Sequence, residues 1–145
     1  MQTIDQDREM DYFHEKCKEY NLNITPQRIT IYKELLQARN HPSVDVLFKQ
    51  VRQILPNISF DTVNRTLITF SEIGIIDVVE GYGNPKRFDP DTKRHHHFWC
   101  TKCNKIIDIY HEAWDDLEVP ADFGHEISSV HNKKVVLEGV CESCK

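Results

Sequence analysis

The stretch that decides the fold is residues 95–103, which read His95-His96-His97-Phe98-Trp99-Cys100-Thr101-Lys102-Cys103. A histidine cluster and a Cys-x2-Cys pair stand side by side in it. A second such pair, Cys141 and Cys144, follows after 37 intervening residues. Two pairs supply four thiolates, the ligand set of a closed, tetrahedral structural zinc site. The spacing predicts a Zn2+ ion that ties the last strand to the hairpin at Cys100, with a redox-active cysteine pair as the alternative.

The composition limits the class of protein. The chain has 145 residues, five of them cysteines, and a polar N-terminus without the apolar run of a signal peptide or a membrane span. We therefore expect one or two small domains in the reducing cytoplasm, where paired cysteines bind metal. Cys17, the unpaired cysteine, is predicted to be a core residue. Residues 1–88 carry 11 basic and 12 acidic side chains, so any prediction of nucleic-acid binding must rest on a motif.

Residues 1–88 have the pattern of a winged helix. A helix is predicted over residues 5–20, and Thr25, Ser43 and Ser59 are suited to begin three more. Short strands at 75–79 and 86–88 flank a turn at 81–84. The fourth helix, residues 59–72, would be the recognition helix, and its outward side chains could contact phosphates or base edges. These side chains are Asp61, Thr62, Asn64, Arg65 and Thr69, although winged helices also bind proteins.

Beyond a linker at residues 89–93 the pattern changes to strands. We predict strands at 98–99, 106–110, 126–130 and 135–140, with a short helix at 111–118. The predicted fold class is α+β: an N-terminal winged helix-turn-helix domain (1–88), the linker, and a small α/β domain (94–145) with a four-cysteine zinc site.

A second metal site is predicted from histidines and carboxylates. His95 and His97 alternate along a strand, so they share one face and His96 takes the other. Three imidazoles and two carboxylates make a mixed site suited to Fe2+, Mn2+ or Zn2+, whereas the alternative is a set of ordinary surface residues. An ion held by both domains would act as a two-state switch. The candidate ligands are His41, Asp89, His95, His97 and Asp108.

Enzyme motifs are missing from this histidine-rich chain. It has no HExxH and no zinc-deaminase signature. A site with five protein ligands also leaves little room for a small organic substrate. The sequence therefore predicts a binding protein and not an enzyme.

Taken in order, these motifs resemble the ferric uptake regulator (Fur) family of bacterial metal-responsive repressors. The resemblance covers essentially the whole chain. It implies a homodimer joined through the second domain, and a winged helix that binds a palindromic operator in double-stranded DNA when a regulatory metal is bound. The matching pieces are Thr25-Pro26-Gln27-Arg28, His41-Pro42-Ser43, Asp61-Thr62-Val63-Asn64-Arg65-Thr66-Leu67, Arg87-Phe88-Asp89, His95-x-His97-x2-Cys100-x2-Cys103, Asp108 and Cys141-x2-Cys144.

The resemblance also assigns the two metals. It places the four paired cysteines at the family's structural Zn2+ site, and the three histidines and two aspartates named above at its regulatory Fe2+ or Mn2+ site. Aspartate at both 89 and 108 looks like the peroxide-responsive (PerR) branch. There, bound Fe2+ reacts with hydrogen peroxide, a ligand histidine (here His41 or His95) is oxidised, and DNA is released. The alternative is an iron- or manganese-uptake regulator without peroxide sensing. A zinc sensor is disfavoured, because no cysteine lies between Cys17 and Cys100.

Two departures from the family pattern concern DNA and a further metal. Asn64 stands where relatives usually have tyrosine, and asparagine can pair bidentately with adenine. The positions of a further metal site that many relatives have in the second domain hold two cations, so we expect that site to be lost unless His125 and His131, which lie nearby, supply ligands. Those positions are Arg94, His96, Asp115 and Lys133. The predicted DNA contacts are Arg28, Thr62, Asn64 and Arg65.

Overall fold

The computed structural model describes residues 5–38, 41–79, 86–123 and 125–145. It divides into two compact units, Met1–Thr92 and Lys93–Lys145. The predicted turn at 81–84 lies outside the described residues. No helix in the described ranges is long and apolar enough to cross a membrane.

Four helices make up most of the first unit: α1 (Gln6–Glu19), α2 (Pro26–Gln37), α3 (Val44–Ile54) and α4 (Phe60–Glu72). Asp5, Thr25, Ser43 and Ser59 each accept a hydrogen bond from the backbone N–H three residues further on. Such caps satisfy donors that the first helical turn leaves unpaired. The three predicted helix starts are therefore confirmed.

An aromatic cluster forms the centre of this unit. Phe13 stacks on Tyr32 with ring centroids 4.6 Å apart, and Phe70 meets both rings edge-on. Cys17 is fully buried in the same core, and burial raises the pKa of its thiol. Because a reactive cysteine needs an accessible thiolate, Cys17 is a core residue, as predicted.

A two-stranded hairpin completes the first unit. β1 (Asp77–Val79) pairs antiparallel with β2 (Arg87–Asp89). The prediction that the first strand starts at residue 75 is wrong. The backbone N–H groups of Ile75 and Ile76 both bond to the carbonyl of Phe70, so these residues form the turn that follows α4. Asp89 pairs with Asp77 in the ladder, whereas the sequence places it in the linker.

The second unit is built on a three-stranded sheet in the order β4-β3-β5. Its strands are β3 (His96–Cys100), β4 (Ile106–Ile109) and β5 (Val136–Gly139). β3 pairs antiparallel with β4 and parallel with β5. The predicted α+β class, with a winged helix-turn-helix before a small mixed unit, is confirmed.

Two predictions about the second unit are wrong. Residues 126–130 form no strand; Ile127 and Val130 are 39% and 42% exposed, so no apolar face is buried that would stabilise a strand there. The predicted helix at 111–118 is reduced to α5 (Glu112–Asp115). The His111 side chain makes no capping hydrogen bond at the start of this helix, and Asp115 and Asp116 place negative charge at its C-terminal end, which the helix dipole disfavours.

Candidate metal centres

The sheet brings the four paired cysteines together. Parallel pairing sets Cys100 beside Gly139, so the chain leaving β5 delivers Cys141 to the turn between β3 and β4. Asn104, with φ 61°, closes that turn in the left-handed conformation that asparagine tolerates. The four sulfur atoms lie within 4.8 Å of one another. Four sulfurs in this space are the ligand set of a structural zinc.

The local electrostatics favour a cation among these thiols. Backbone N–H groups of Cys141 and Cys103 lower the pKa of the Cys100 thiol to about 6. The Cys144 thiol donates hydrogen bonds to the neighbouring Cys103 and Cys141 sulfur atoms, which stabilises its protonated form and raises its pKa. The group thus ionises unevenly on its own, because four thiolates repel one another. A bound Zn2+ stabilises all four as thiolates, so the residues fit the ion that the sequence predicts.

The five ligands predicted for the second metal are divided between the units, and the first unit holds two of them. Residues 41–43 pair alongside β2, with Ser43 bridged to Arg87 and the Phe88 N–H donating to the Pro42 carbonyl at 2.9 Å. This pairing sets the His41 Nε2 atom 3.1 Å from Asp89 Oδ2. Both side chains are buried.

The backbone at this pair is held in an unusual conformation. His41 has φ 52°, in a region that residues other than glycine seldom adopt. The Arg87 Nε–H donates to the His41 carbonyl at 2.6 Å, and the Asp91 N–H donates to Asp89 Oδ1 at 2.9 Å. Strained backbone persists where its surroundings fix it, often at functional sites. The structure therefore orients an imidazole and a carboxylate towards each other.

The second unit holds the other three predicted ligands. The antiparallel register places His97 opposite Asp108. Asp108 Oδ1 lies 3.3 Å from His97 Nε2 and 3.6 Å from His95 Nε2. His95 Nδ1–H donates to the Lys93 carbonyl at 2.6 Å, which leaves the Nε2 lone pair facing the carboxylate. Ligand histidines commonly bond their second nitrogen to a carbonyl in this way. These nitrogen and oxygen donors fit Fe2+ or Mn2+.

His96 lies on the opposite face of β3 and has both ring nitrogens engaged. Its Nδ1 accepts the Val135 N–H at 3.0 Å, so the proton is on Nε2, which lies 2.8 Å from Asp115 Oδ1. The ring is fully buried, edge-on to Trp114. His96 thus connects β3 to α5 through Asp115, and to the residue that precedes β5 through Val135. His125 lies beside Glu126 and His131 beside Ser129, both exposed.

The four residues predicted to contact DNA differ in their exposure and in their hydrogen-bond partners within the first unit. Arg65 projects from α4, with its Nε 3.0 Å from Asp61 Oδ2, and both side chains are well exposed. Thr62 Oγ1 is 2.8 Å from the Ser59 hydroxyl at the start of the helix. Arg28 donates through Nη1 to the Asn23 carbonyl at 2.6 Å. Asn64 is half-buried. Of the four, Arg65 is the most exposed, and it is the one basic residue of α4.

Two neighbours of the histidine run do not follow from motif spacing. Asp115 is 19 residues from His96 and reaches it through α5. Tyr110 stacks on His95 with ring centroids 5.4 Å apart. The second contact could have been found from the hairpin, because pairing His97 with Asp108 sets residue 110 opposite residue 95.

A winged helix-turn-helix joined to a small β unit with cysteine and imidazole–carboxylate donors defines the class of metal-responsive regulators. The model of the ferric uptake regulator family matches residues 19–134. The chain belongs to the ferric uptake regulator family.

Individual relatives agree with this assignment. The peroxide-responsive repressor PerR of Staphylococcus epidermidis is 31% identical over 139 residues, which is 96% of this chain and 92% of that protein. The peroxide stress regulator of Campylobacter jejuni superposes with a TM-score of 0.66 at 26% identity, covering 90% of this chain and 97% of that one. The ferric uptake regulator of Helicobacter pylori gives a TM-score of 0.70 at 19% identity, covering 95% and 92%, a likeness of fold alone.

Proposed function

We propose that this protein is a DNA-binding transcriptional repressor of the cytoplasm that requires bound Fe2+ or Mn2+ to bind DNA and senses hydrogen peroxide when the bound ion is Fe2+. The observation that carries the proposal is the convergence of His95 and His97 on one carboxylate, that of Asp108. A relative also supports the proposal, since the chain is similar over nearly its whole length to a repressor described as peroxide-responsive.

The regulatory ion is proposed to bind His41 and Asp89 in addition to the three ligands of the second unit. One ion bound by residues of both units would favour a single arrangement of the winged helix. An ion can shift such an equilibrium only by binding one arrangement more tightly than the other. The affinity for DNA then depends on how many ligands bind the ion and on how tightly they bind it.

Peroxide acts on this switch by damaging a ligand. When bound, Fe2+ supplies the redox chemistry that activates hydrogen peroxide. His95 and His41 are the proposed targets, and an oxidised imidazole is a poorer ligand. The hydrogen bond from His95 Nδ1–H to the Lys93 carbonyl holds the ring in place while it is exposed to the oxidant. Loss of one ligand releases the metal and then the DNA.

A homodimer binding a palindromic operator is proposed from the edge of the sheet. β5 is an outer strand of the three-stranded sheet, and Val136 and Leu137 on it are 51% and 41% exposed. An apolar outer strand is prone to pair with another chain. Two copies related by two-fold symmetry would present two winged helices, which is why palindromic operators suit dimeric regulators.

The function is tested by selecting DNA from a random pool. The protein is loaded either with Fe2+ in the absence of oxygen or with Mn2+. We expect a palindromic sequence that the metal-loaded protein binds at least ten-fold more tightly than the protein with zinc alone. Equal enrichment with and without the regulatory metal would contradict a metal-dependent regulator.

Arg65→Ala is expected to weaken binding to the selected operator by about 10- to 100-fold, because a bidentate contact to guanine is worth roughly 1–3 kcal/mol. Protein stability should hardly change, since the exposed pair with Asp61 contributes at most about 0.5 kcal/mol. Titrations at several salt concentrations provide the measurement.

Arg65→Lys is the matched control, because it keeps the charge and loses the planar fork. If Arg65 binds guanine, the lysine variant should lose affinity as well. If it binds phosphate, that variant should retain most of it. Unchanged affinity of Arg65→Ala at every salt concentration would contradict the assignment of α4 as the recognition helix.

A further inference from the structure

Tyr110 lies against a proposed metal ligand. Its ring stacks on that of His95, with centroids 5.4 Å apart and an angle of 27° between the planes. The β3–β4 register dictates the contact. His96 pairs with Ile109 and His97 with Asp108, so the next position of the antiparallel ladder faces residue 95 with residue 110. Tyr110 therefore shares a face with Asp108, as residues two apart on a strand do.

The environment of Tyr110 is chemically suited to oxidation. The residue is 44% exposed, so small molecules reach its ring from solvent. A phenol is electron-rich at the carbons next to its hydroxyl, and an oxidant formed beside His95 meets this ring at stacking distance. The neighbouring imidazole is the residue that the proposed sensing reaction damages.

We propose that Tyr110 is a second oxidation site, hydroxylated by hydrogen peroxide to 3-hydroxytyrosine in competition with His95. The inference rests on the proposed function and extends it to a residue that binds no metal. The ring C–H bond next to the hydroxyl breaks and a C–O bond forms with one peroxide oxygen. The peroxide O–O bond breaks, and its second oxygen leaves as water with the displaced proton. The ring loses two electrons and peroxide gains two, so no other reductant is needed.

This competition would set the threshold of the sensor. A molecule of peroxide that oxidises Tyr110 leaves His95 intact and the metal bound. Removing the phenol should therefore increase the fraction of His95 that is oxidised at a given dose of peroxide.

The test is peptide mass spectrometry of the full-length protein, loaded with Fe2+ and treated with one equivalent of peroxide. Trypsin cuts after Arg94, Lys102 and Lys105, so His95 and Tyr110 fall in separate peptides. Fragment ions distinguish Tyr110 from Trp114 within its peptide. Tyr20 is the internal control, because it is 51% exposed and the Lys16 ammonium group lies over its ring. A Mn2+-loaded sample controls for oxidation that does not require iron.

We expect the mass of one oxygen atom on Tyr110, at least ten-fold above its level on Tyr20 and dependent on iron. In Tyr110→Leu, oxidation of the His95 peptide should rise about two-fold. Oxidised His95 or His41 with unmodified Tyr110, or equal modification of Tyr110 and Tyr20, would overturn this inference and leave the proposed function standing. Absence of oxidation on all three residues would overturn the proposed function as well.

Discussion

Replacing His97 with alanine is expected to abolish metal-dependent DNA binding and to leave the zinc content unchanged. The His97 Nε2 atom lies 3.3 Å from Asp108 Oδ1, so the substitution removes a nitrogen donor from the proposed regulatory site. Loss of a partner that merely orients a ligand costs about 10- to 100-fold in metal affinity. Loss of a ligand itself should cost at least that much.

The sheet should tolerate this substitution. The His97 backbone N–H donates to the Val135 carbonyl at 3.1 Å, and alanine retains that bond. Metal content and operator affinity are measured on the same sample. His125→Ala is the matched control, because His125 is well exposed, next to Glu126, and should bind metal and DNA normally. A His97→Ala protein that lost its zinc would show that the two metal sites are not independent.

Removing zinc is expected to unfold the second unit while the first remains folded. The buried apolar side chains of the second unit are few among its described residues, namely Trp99, Cys100, Ile106 and Cys141. Small units with thin cores depend on metals or disulfides. Binding of structural zinc to zinc-finger peptides contributes about 10–16 kcal/mol, all of it available for folding. The core of the first unit is an extended cluster of buried side chains built on α1–α4.

The two units can be followed separately in one sample. Both tryptophans, Trp99 and Trp114, lie in the second unit, whereas α1–α4 dominate far-UV circular dichroism. Chelation, or Cys141→Ser, should shift tryptophan emission to the red and leave most of the helical signal. Cys17→Ala is the control and should retain zinc, since Cys17 lies in the core of the first unit. A zinc-free protein with native tryptophan emission would contradict the structural role of the site.

Local signals in the sequence were sufficient for the helices of the first unit. Thr25, Ser43 and Ser59 are side chains that cap helices, and Gly74, with φ 80°, ends α4 in the conformation that glycine adopts most easily. The two Cys-x2-Cys pairs likewise predict their own grouping, because few arrangements other than a metal site bring four thiols together.

Contacts between segments far apart in the chain could not be predicted from such local signals. Residues 126–130 contain Ile127 and Val130, but both side chains stay exposed and the segment joins neither of the two sheets of the described residues. The pairing of His41 with Asp89 depends on residues 41–43 lying alongside β2, a contact between segments far apart in the chain. His96 contacts Asp115 only because α5 returns to the sheet. In each case the deciding fact is which segment packs against a sheet.

The most direct test of peroxide sensing is operator affinity of the Fe2+-loaded protein before and after one equivalent of hydrogen peroxide, with the Mn2+-loaded protein treated in parallel. We predict that the iron form loses at least ten-fold in affinity and gains one oxygen atom on the His41 or His95 peptide, while the manganese form keeps its affinity. Unchanged affinity of the iron form, with neither histidine oxidised, would contradict peroxide sensing and favour a regulator of iron or manganese uptake.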